Sequence, residues 1–278
     1  MRVLAFSPGH ITGFFEICRG EDEISTGSRG AGFSLSLGSY AEVKGSKEMI
    51  IEGNMGEGEV TRDALHILGI KNVRVKIRNQ MPLSQGFGMS ASSTLAATLA
   101  TCHLLSLPYE RALEAAHVAE VRMGGGLGDA IASFYGGLEM RLAPGLKGRI
   151  KVVEERARIL VAVVGEPIKT RGIIENGEMV ERINEEGREA MKSFLREPTF
   201  DNLALLSREF AISTGIADER MKRILRNGER IGSIGMCMLG NAVFAEYSKE
   251  MRRFLSGFQH YECFIDNGGA RILASLFP

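Results

Sequence analysis

Residues 82–105 read PLSQGFGMSASSTLAATLATCHLL, a glycine-containing loop that leads directly into an apolar stretch. Gly86 and Gly88 precede small hydroxyl residues and then an alanine- and leucine-rich run, which predicts a long helix over about 90–106. Such a helix presents unpaired backbone N–H groups and a partial positive charge at its start. Glycines just before it let the backbone approach a phosphate closely. Taken alone, the stretch fits a phosphate-binding loop and also a tight turn in which Ser90 caps the helix.

The loop differs from two widespread phosphate motifs. The pattern G-x-x-x-x-G-K-[ST] needs a lysine that this loop lacks. The dinucleotide pattern G-x-G-x-x-G needs a third glycine, which residues 90–93 do not supply. The loop therefore belongs to neither of these nucleotide-binding classes.

Strands and helices alternate on both sides of this helix. Apolar alternation and turn residues predict strands at 2–9, 32–45 and 73–79, the first of them stopped by Pro8 and Gly9. Helical spacing predicts helices at 60–70 and 108–123. In the second half, the same criteria predict strands at 158–165, 235–239, 241–247 and 261–266, and helices at 178–195, 202–212, 218–227 and 249–258. A glycine-rich basic segment at 143–151 divides the chain into two α+β domains, 1–150 and 151–278.

Composition narrows the functional class. The 278 residues carry 34 basic and 34 acidic side chains, and this balance argues against a nucleic-acid-binding surface. No apolar run reaches the roughly 18 residues of a membrane span, and the N-terminus does not resemble a signal peptide, so we expect a cytoplasmic protein. The four cysteines are too far apart for a metal motif, and the scarcity of glutamine fits a thermophilic source.

Two acidic residues follow the long helix. Glu120 shares a helical face with Leu113, Ala116 and His117, where a carboxylate is costly to bury unless it meets a cation or a metal. Asp129 follows a glycine-rich turn and begins an apolar helix. A snorkelling surface acid and a helix-capping aspartate are the structural alternatives for these two positions.

Two further stretches lie near the N-terminus. His10 follows the predicted strand break, where a structural histidine is the more common case. The segment STGSRGAG at 25–32 places Arg29 in a glycine- and serine-rich loop that could bind an anion or could simply be a solvated turn.

In this order the stretches resemble the motifs of the GHMP kinase superfamily. SPGHITGFFEI at 7–17 resembles its N-terminal A-P-G-[KR]-x-x-x-x-G-E segment, with His10 where a basic residue is common. The central loop resembles P-x-x-x-G-[LF]-G-S-S-A-[AS], with Met89 in place of the first serine. GLGDAIASFYGG at 126–137 resembles the segment with the catalytic aspartate. The third, glycine-rich motif keeps only Gly240 in its core, within 235–245.

The resemblance extends nearly end to end to one branch, the archaeal pantoate kinases, which phosphorylate the primary hydroxyl of pantoate on the route to coenzyme A. It implies an N-terminal α/β domain with a left-handed βαβ unit and a C-terminal ferredoxin-like domain, with the site in the cleft between them. ATP and Mg²⁺ are the implied cofactors, and a homodimer is possible.

The resemblance also implies roles for particular residues. Asp129 would be catalytic, and Ser90 and Glu120 would hold the metal. Backbone N–H groups, the helix end and the metal would replace the missing lysine. The nucleotide would contact the central loop (Pro82, Gly86, Phe87, Gly88, Met89, Ser90, Ala91 and Ser92). The substrate carboxylate would meet basic or hydroxyl groups chosen among His10, Ser28, Arg29, Lys169 and Arg171.

Two alternative functions stay open on the sequence alone. A kinase of the same fold could use another small alcohol, such as homoserine, shikimate or a mevalonate-pathway substrate. A nucleotide-binding regulator without transferase activity is favoured by Met89 and the eroded third motif, whereas Ser90, Glu120 and Asp129 argue against it.

Overall fold

The computed structural model describes residues 1–167 and 177–276, which form two β-sheets covered by helices. The strands in these ranges are β1 (Arg2–Cys18), β2 (Gly27–Gly45), β3 (Ile50–Gly53), β4 (Val73–Asn79), β5 (Leu138–Arg141), β6 (Ile150–Val153), β7 (Arg158–Val163), β8 (Ile234–Cys237), β9 (Ala242–Glu246), β10 (Gln259–Phe264) and β11 (Arg271–Leu276). The helices are α1 (Glu59–Ile67), α2 (Met89–Leu104), α3 (Tyr109–Arg122), α4 (Asp129–Tyr135), α5 (Gly177–Phe194), α6 (Phe200–Ser213), α7 (Glu219–Gly228) and α8 (Lys249–Leu255).

The first sheet is built around the long antiparallel pair β1–β2. Its strand order is β11-β1-β2-β4-β3, and β5 and β6 extend from β2 as a further antiparallel branch. Strands β3 and β4 are parallel and α1 connects them, which makes the βαβ unit that the family resemblance implies. The left-handedness of this unit stays a prediction.

The second sheet has the order β10-β7-β9-β8 and is antiparallel throughout. Helices α5, α6 and α7 lie between β7 and β8 in the chain, and α8 lies between β9 and β10. A βαββαβ chain with this strand order has the ferredoxin-like topology. The mixed α+β fold is therefore confirmed. Strand β11 returns to the first sheet and pairs with β1. The division of the chain into domains at 150/151 stays a prediction.

Helix α2 lies at the centre of the N-terminal half. It packs on β1 and β2 and on α3, and 13 of its residues are buried. The alanine, serine and threonine side chains of the opening stretch allow this close packing on both sides. In its first turn, Ser90 is not fully buried, although Met89 and Ala91 beside it are. The position of this one hydroxyl matters for the site described below.

An aromatic cluster joins the two sheets. Phe33 of β2, Phe200 of α6 and Phe244 of β9 pack edge to face, with ring centroids 5.1–5.7 Å apart. Helices α5 and α6 also pack on β1. The core is therefore continuous across the two halves of the chain.

Two local expectations were wrong. Strand β1 does not stop at Pro8 and Gly9 but continues to Cys18, with a register shift against β2 at this point. A bulge tolerates proline because the residue at that position does not have to donate a hydrogen bond to the neighbouring strand. Arg29 lies within β2, opposite Glu16, and not in a loop.

The described residues contain neither a membrane-spanning helix nor a disulfide bond. Among residues 1–167 and 177–276, helices are too short or too polar to cross a bilayer. All four cysteines are free thiols.

Candidate active site

A cavity of about 520 Å³ opens at the first turn of α2. Three segments form most of its wall: the loop before α2, the glycine-rich turn after α3, and the turn between β8 and β9. Residues of the predicted nucleotide loop that line it are Gly86, Phe87, Gly88, Met89, Ser90 and Ala91. Pro82 and Ser92 are not among the lining residues, and the Ser92 hydroxyl instead donates to the Ser7 carbonyl oxygen at 2.7 Å.

The start of α2 is shaped by glycines and not by a serine cap. Gly88 is the N-cap residue, with φ at 59°, and Gly86 has φ at 77°. Both values lie in the left-handed region that side chains rarely adopt. The first N–H groups of the helix have no carbonyl partner within the helix. Ser90 is the second residue of the helix, two positions after the N-cap, so the interpretation of Ser90 as the cap was wrong.

Ser90 and Glu120 form one hydrogen-bonded pair at the cavity wall. The Ser90 hydroxyl donates to Glu120 Oε1 at 2.5 Å, and the backbone N–H of Gly126 donates to Oε2 at 2.9 Å. Glu120 is only 2% exposed, so the alternative of a surface acid was wrong. Burial raises the pKa of Glu120 to about 7, because these two hydrogen bonds only partly offset the loss of water.

The turn after α3 folds closely around both acidic residues. A Cβ atom on Gly125 would lie 2.4 Å from Glu120 Oε2, and one on Gly126 would lie 2.3 Å from Asp129 Oδ2. Real Cβ atoms do not approach so closely, so a side chain at either position would have to displace the carboxylate beside it. The glycine run therefore brings two carboxylates to one cavity.

Asp129 is the first residue of α4, and its side chain is 25% exposed. It does not cap the helix, whose N-cap is Gly128, and its Oδ1 instead lies 2.8 Å from His10 Nδ1. Burial alone would raise the pKa of Asp129. The hydrogen bond from His10 and the positive charges of His10 and Arg141 outweigh that effect, so the pKa lies below its ordinary value.

His10 lies behind Asp129 and does not reach the cavity surface. The side chain is 0% exposed, and its second nitrogen, Nε2, lies 3.0 Å from Glu139 Oε1. Burial alone would lower the pKa of His10, but its two carboxylate partners raise it above the ordinary value. Both ring nitrogens are occupied by protein groups, so His10 has no free atom for a substrate carboxylate.

Arg141 is a site residue that the sequence did not reveal. Its Nη1 forms an ion pair with Glu139 Oε1, its Nε donates to Ser28 Oγ at 3.2 Å, and its Nη2 donates to Thr12 Oγ1 at 3.3 Å. Thr12 and Ser28 both line the cavity, and Arg141 is 2% exposed. Only the i, i+2 spacing of Glu139 and Arg141 hinted that both side chains share one face of a strand.

The other predicted substrate groups are spread over different places. Ser28 lines the cavity beside Arg141. The Arg29 guanidinium contacts Glu16 Oε1 at 3.1 Å and donates from Nε to the Leu142 carbonyl oxygen. It is absent from the cavity wall formed by the described residues. Lys169 and Arg171 lie outside the described residues.

The turn between β8 and β9 completes the cavity on the C-terminal side. Met238 and Leu239 line the cavity, and Leu239 adopts a left-handed φ of 61°. A Cβ atom on Gly240 would lie 2.1 Å from the carbonyl carbon of Gln85, which belongs to the loop before α2. The one glycine kept from the third motif therefore allows the two segments to touch.

Comparisons with known proteins show which family and which structures the chain resembles. Residues 58–137 match the family described as "GHMP kinases N terminal domain". The chain is 32% identical to the pantoate kinase of Methanocaldococcus jannaschii, over 88% of this chain and 93% of that protein. It is also 32% identical to the pantoate kinase of Thermococcus kodakarensis, over 92% of each. A solved structure described as "Phosphotransferase related to CoA biosynthesis pathway" superposes with a TM-score of 0.87 at 28% identity, covering 98% of both chains.

Proposed function

The chain belongs to the GHMP kinase family, in the branch of the archaeal pantoate kinases, and we propose that it transfers the γ-phosphoryl group of ATP to the primary hydroxyl of pantoate. One observation supports this most strongly. The Ser90–Glu120 pair and Asp129 lie on a single cavity at the N-terminus of a long helix. Phosphoryl transfer depends mainly on positioning and on neutralisation of charge, and these groups suit both tasks.

The first turn of α2 would receive the phosphates of ATP. Its free N–H groups and helix dipole favour an anion, and Gly86 and Gly88 leave the loop backbone bare of side chains on that side. This arrangement accounts for a kinase loop without a lysine.

Ser90 and Glu120 would hold Mg²⁺. Glu120 forms no ion pair with any basic side chain of the described residues, and burial leaves its carboxylate short of positive charge. The described part of the chain has no cluster of three or more histidine, cysteine or acidic side chains that could enclose a metal. One carboxylate, one hydroxyl and phosphate oxygens are nevertheless a usual environment for Mg²⁺. When bound, the ion would offset the negative charge that builds up on the phosphates.

Asp129 would orient the acceptor hydroxyl and accept its proton. The bond between the acceptor oxygen and the γ-phosphorus forms while the bond from that phosphorus to the β,γ-bridging oxygen breaks, and ADP leaves. The depressed pKa keeps Asp129 ionised over the neutral range, so the carboxylate is ready to accept a hydrogen bond from the hydroxyl. Its Oδ1 lies 2.8 Å from His10 Nδ1, and the carboxylate also has a side-chain hydrogen bond with Thr12, so protein groups hold its orientation.

Ser28 would receive the carboxylate of pantoate, and the Arg141 guanidinium behind it would supply positive charge. Ser28 lines the cavity, the Nε of the buried Arg141 donates to its hydroxyl, and the guanidinium also influences Asp129 electrostatically. An anion bound here would be close to the catalytic carboxylate, so a short hydroxy acid could place its hydroxyl beside Asp129. This assignment replaces His10 and Arg29 among the predicted substrate residues and keeps Ser28.

The experiment is the rate of ADP formation with Mg²⁺-ATP and a panel of acceptors: pantoate, homoserine, shikimate and mevalonate. We expect turnover with pantoate, and Ser28→Ala should raise its KM without changing the KM of ATP. Ser25→Ala in the exposed β1–β2 turn is the matched control, because that hydroxyl contacts only Asp22. Faster turnover with another acceptor would overturn the assignment, and no acceptor-dependent ADP would favour the regulator.

A further inference from the structure

His10 is a buried histidine held between two carboxylates. Its Nδ1 lies 2.8 Å from Asp129 and its Nε2 lies 3.0 Å from Glu139, and no part of the side chain reaches solvent. A neutral imidazole carries only one N–H and can donate to one partner. An imidazolium carries two and can satisfy both carboxylates. The geometry therefore favours the charged form of His10.

Glu139 is the buried anion that makes this possible. It is 0% exposed, and its Oε1 receives both His10 Nε2 and Arg141 Nη1. Its other oxygen, Oε2, has no hydrogen-bond partner among the described residues. A buried carboxylate is costly without partners, and here an imidazole and a guanidinium flank it. In the described ranges the groups that face His10 are Asp129 from α4 and Glu139 from β5.

Strand pairing places Glu139 and His10 in close contact. Strand β5 pairs with β2 so that Glu139 is opposite Gly32. A Cβ atom on Gly32 would lie 2.6 Å from His10 Nε2, so the glycine leaves the space that the imidazole ring occupies. Arg141 follows Glu139 by two residues on the same face of β5. Four charged groups thus form one chain: Asp129, His10, Glu139 and Arg141.

We propose that Glu139 is a positioning residue that keeps His10 as a permanent imidazolium, and that it thereby fixes the catalytic Asp129 and the Arg141 guanidinium behind Ser28 relative to each other. The charge state of His10 is independent of the proposed function, and only the kinetic consequence rests on it. In Glu139→Gln, His10 would have only the Asp129 carboxylate as a charged partner. Burial would then lower the pKa of His10, so that its proton is lost within the neutral pH range. Burial opposes the charged form of His10, and the two carboxylates together outweigh it.

The direct test is NMR of the full chain labelled with ¹⁵N at its five histidines, recorded from pH 6 to 8.5, with His10→Asn identifying the His10 signals. We expect both ring nitrogens of wild-type His10 to be protonated and not to titrate. In Glu139→Gln we expect His10 to titrate within this range. Glu16→Gln is the matched control, because Glu16 is a buried carboxylate with arginine partners that does not touch a histidine.

The kinetic readout separates positioning from folding. Glu139→Gln should lower kcat on the order of 10- to 100-fold, by analogy with the range known for groups that orient a metal-ligating histidine. The KM of pantoate should rise and the KM of ATP should not change. Glu139→Asp, which keeps the charge, should restore the imidazolium signal and part of kcat.

Two results would overturn the proposal. One is a wild-type His10 with a single protonated nitrogen, which would mean that the proton resides on a carboxyl group. The other is a folded Glu139→Gln in which His10 still does not titrate. Because the wild-type measurement needs neither Glu139→Gln nor a substrate, the inference remains testable even if Glu139→Gln does not fold or pantoate is not the acceptor.

Discussion

Replacement of Glu120 by glutamine should stabilise the metal-free protein while it impairs the enzyme. The pKa of Glu120 is about 7 in the folded chain against an ordinary value of 4.5. Between these two values the folded state binds the proton more tightly than the unfolded state. Stability is therefore lost as the pH rises from about 4.5 to 7, and the loss persists above pH 7.

The size of the effect follows from the same two values. At roughly 1.4 kcal/mol for each pKa unit, the ionised Glu120 costs about 3 kcal/mol at pH 8. A neutral amide of the same shape can still accept from the Gly126 N–H and donate to Ser90 Oγ. Glu120→Gln should therefore gain up to about 3 kcal/mol at pH 8, and only a small fraction of that at pH 5.

The assay is thermal unfolding followed by circular dichroism in EDTA, without nucleotide, at pH 5 and pH 8. We expect Tm of Glu120→Gln to exceed that of the wild type by several degrees at pH 8. Mg²⁺-ATP should raise Tm of the wild type and have much less effect on the variant. Glu16→Gln should show no gain at pH 8, because its carboxylate has arginine partners to lose. A variant no more stable than the wild type at pH 8 would refute the reasoning.

Three other substitutions test the site. Asp129→Asn should fold normally and lose on the order of 10² or more in kcat, and near-normal turnover would exclude a catalytic role. Gly126→Ala should lower kcat as well, since its Cβ would meet Asp129 Oδ2 at 2.3 Å, and a wild-type rate would show that the turn can yield. Gly240→Ala should raise the KM of ATP, because its Cβ would displace the loop at Gln85, and an unchanged KM would contradict this contact.

Local patterns predicted much of the fold. Helix α2 lies at Met89–Leu104, close to the predicted 90–106, because glycines and a run of small residues mark its start within a few positions. Strand β4 at Val73–Asn79 has the predicted alternation, with its valine and isoleucine residues buried. The family motifs likewise placed Ser90, Glu120 and Asp129 as candidates, and the structure brings them to one cavity.

Long-range pairing explains what the sequence did not reveal. His10 and Glu139 are 129 residues apart, and they meet only because β1 and β5 both pair with β2. Nothing near His10 in the sequence indicates that carboxylates occupy both of its nitrogens. Strands β3, β5 and β11 were not predicted, and the stability of such strands depends on their neighbours in the sheet.

The most direct test of the central claim is the identity of the product. Purified protein, Mg²⁺-ATP and pantoate should yield ADP and one phosphate monoester, and proton–phosphorus NMR correlation should connect the new phosphorus to the methylene of the primary hydroxyl. Asp129→Asn, run in parallel, should form the same ester at a rate lower by the factor given above. Release of inorganic phosphate alone, or a phosphate on a different oxygen, would contradict a site that holds this hydroxyl beside Asp129.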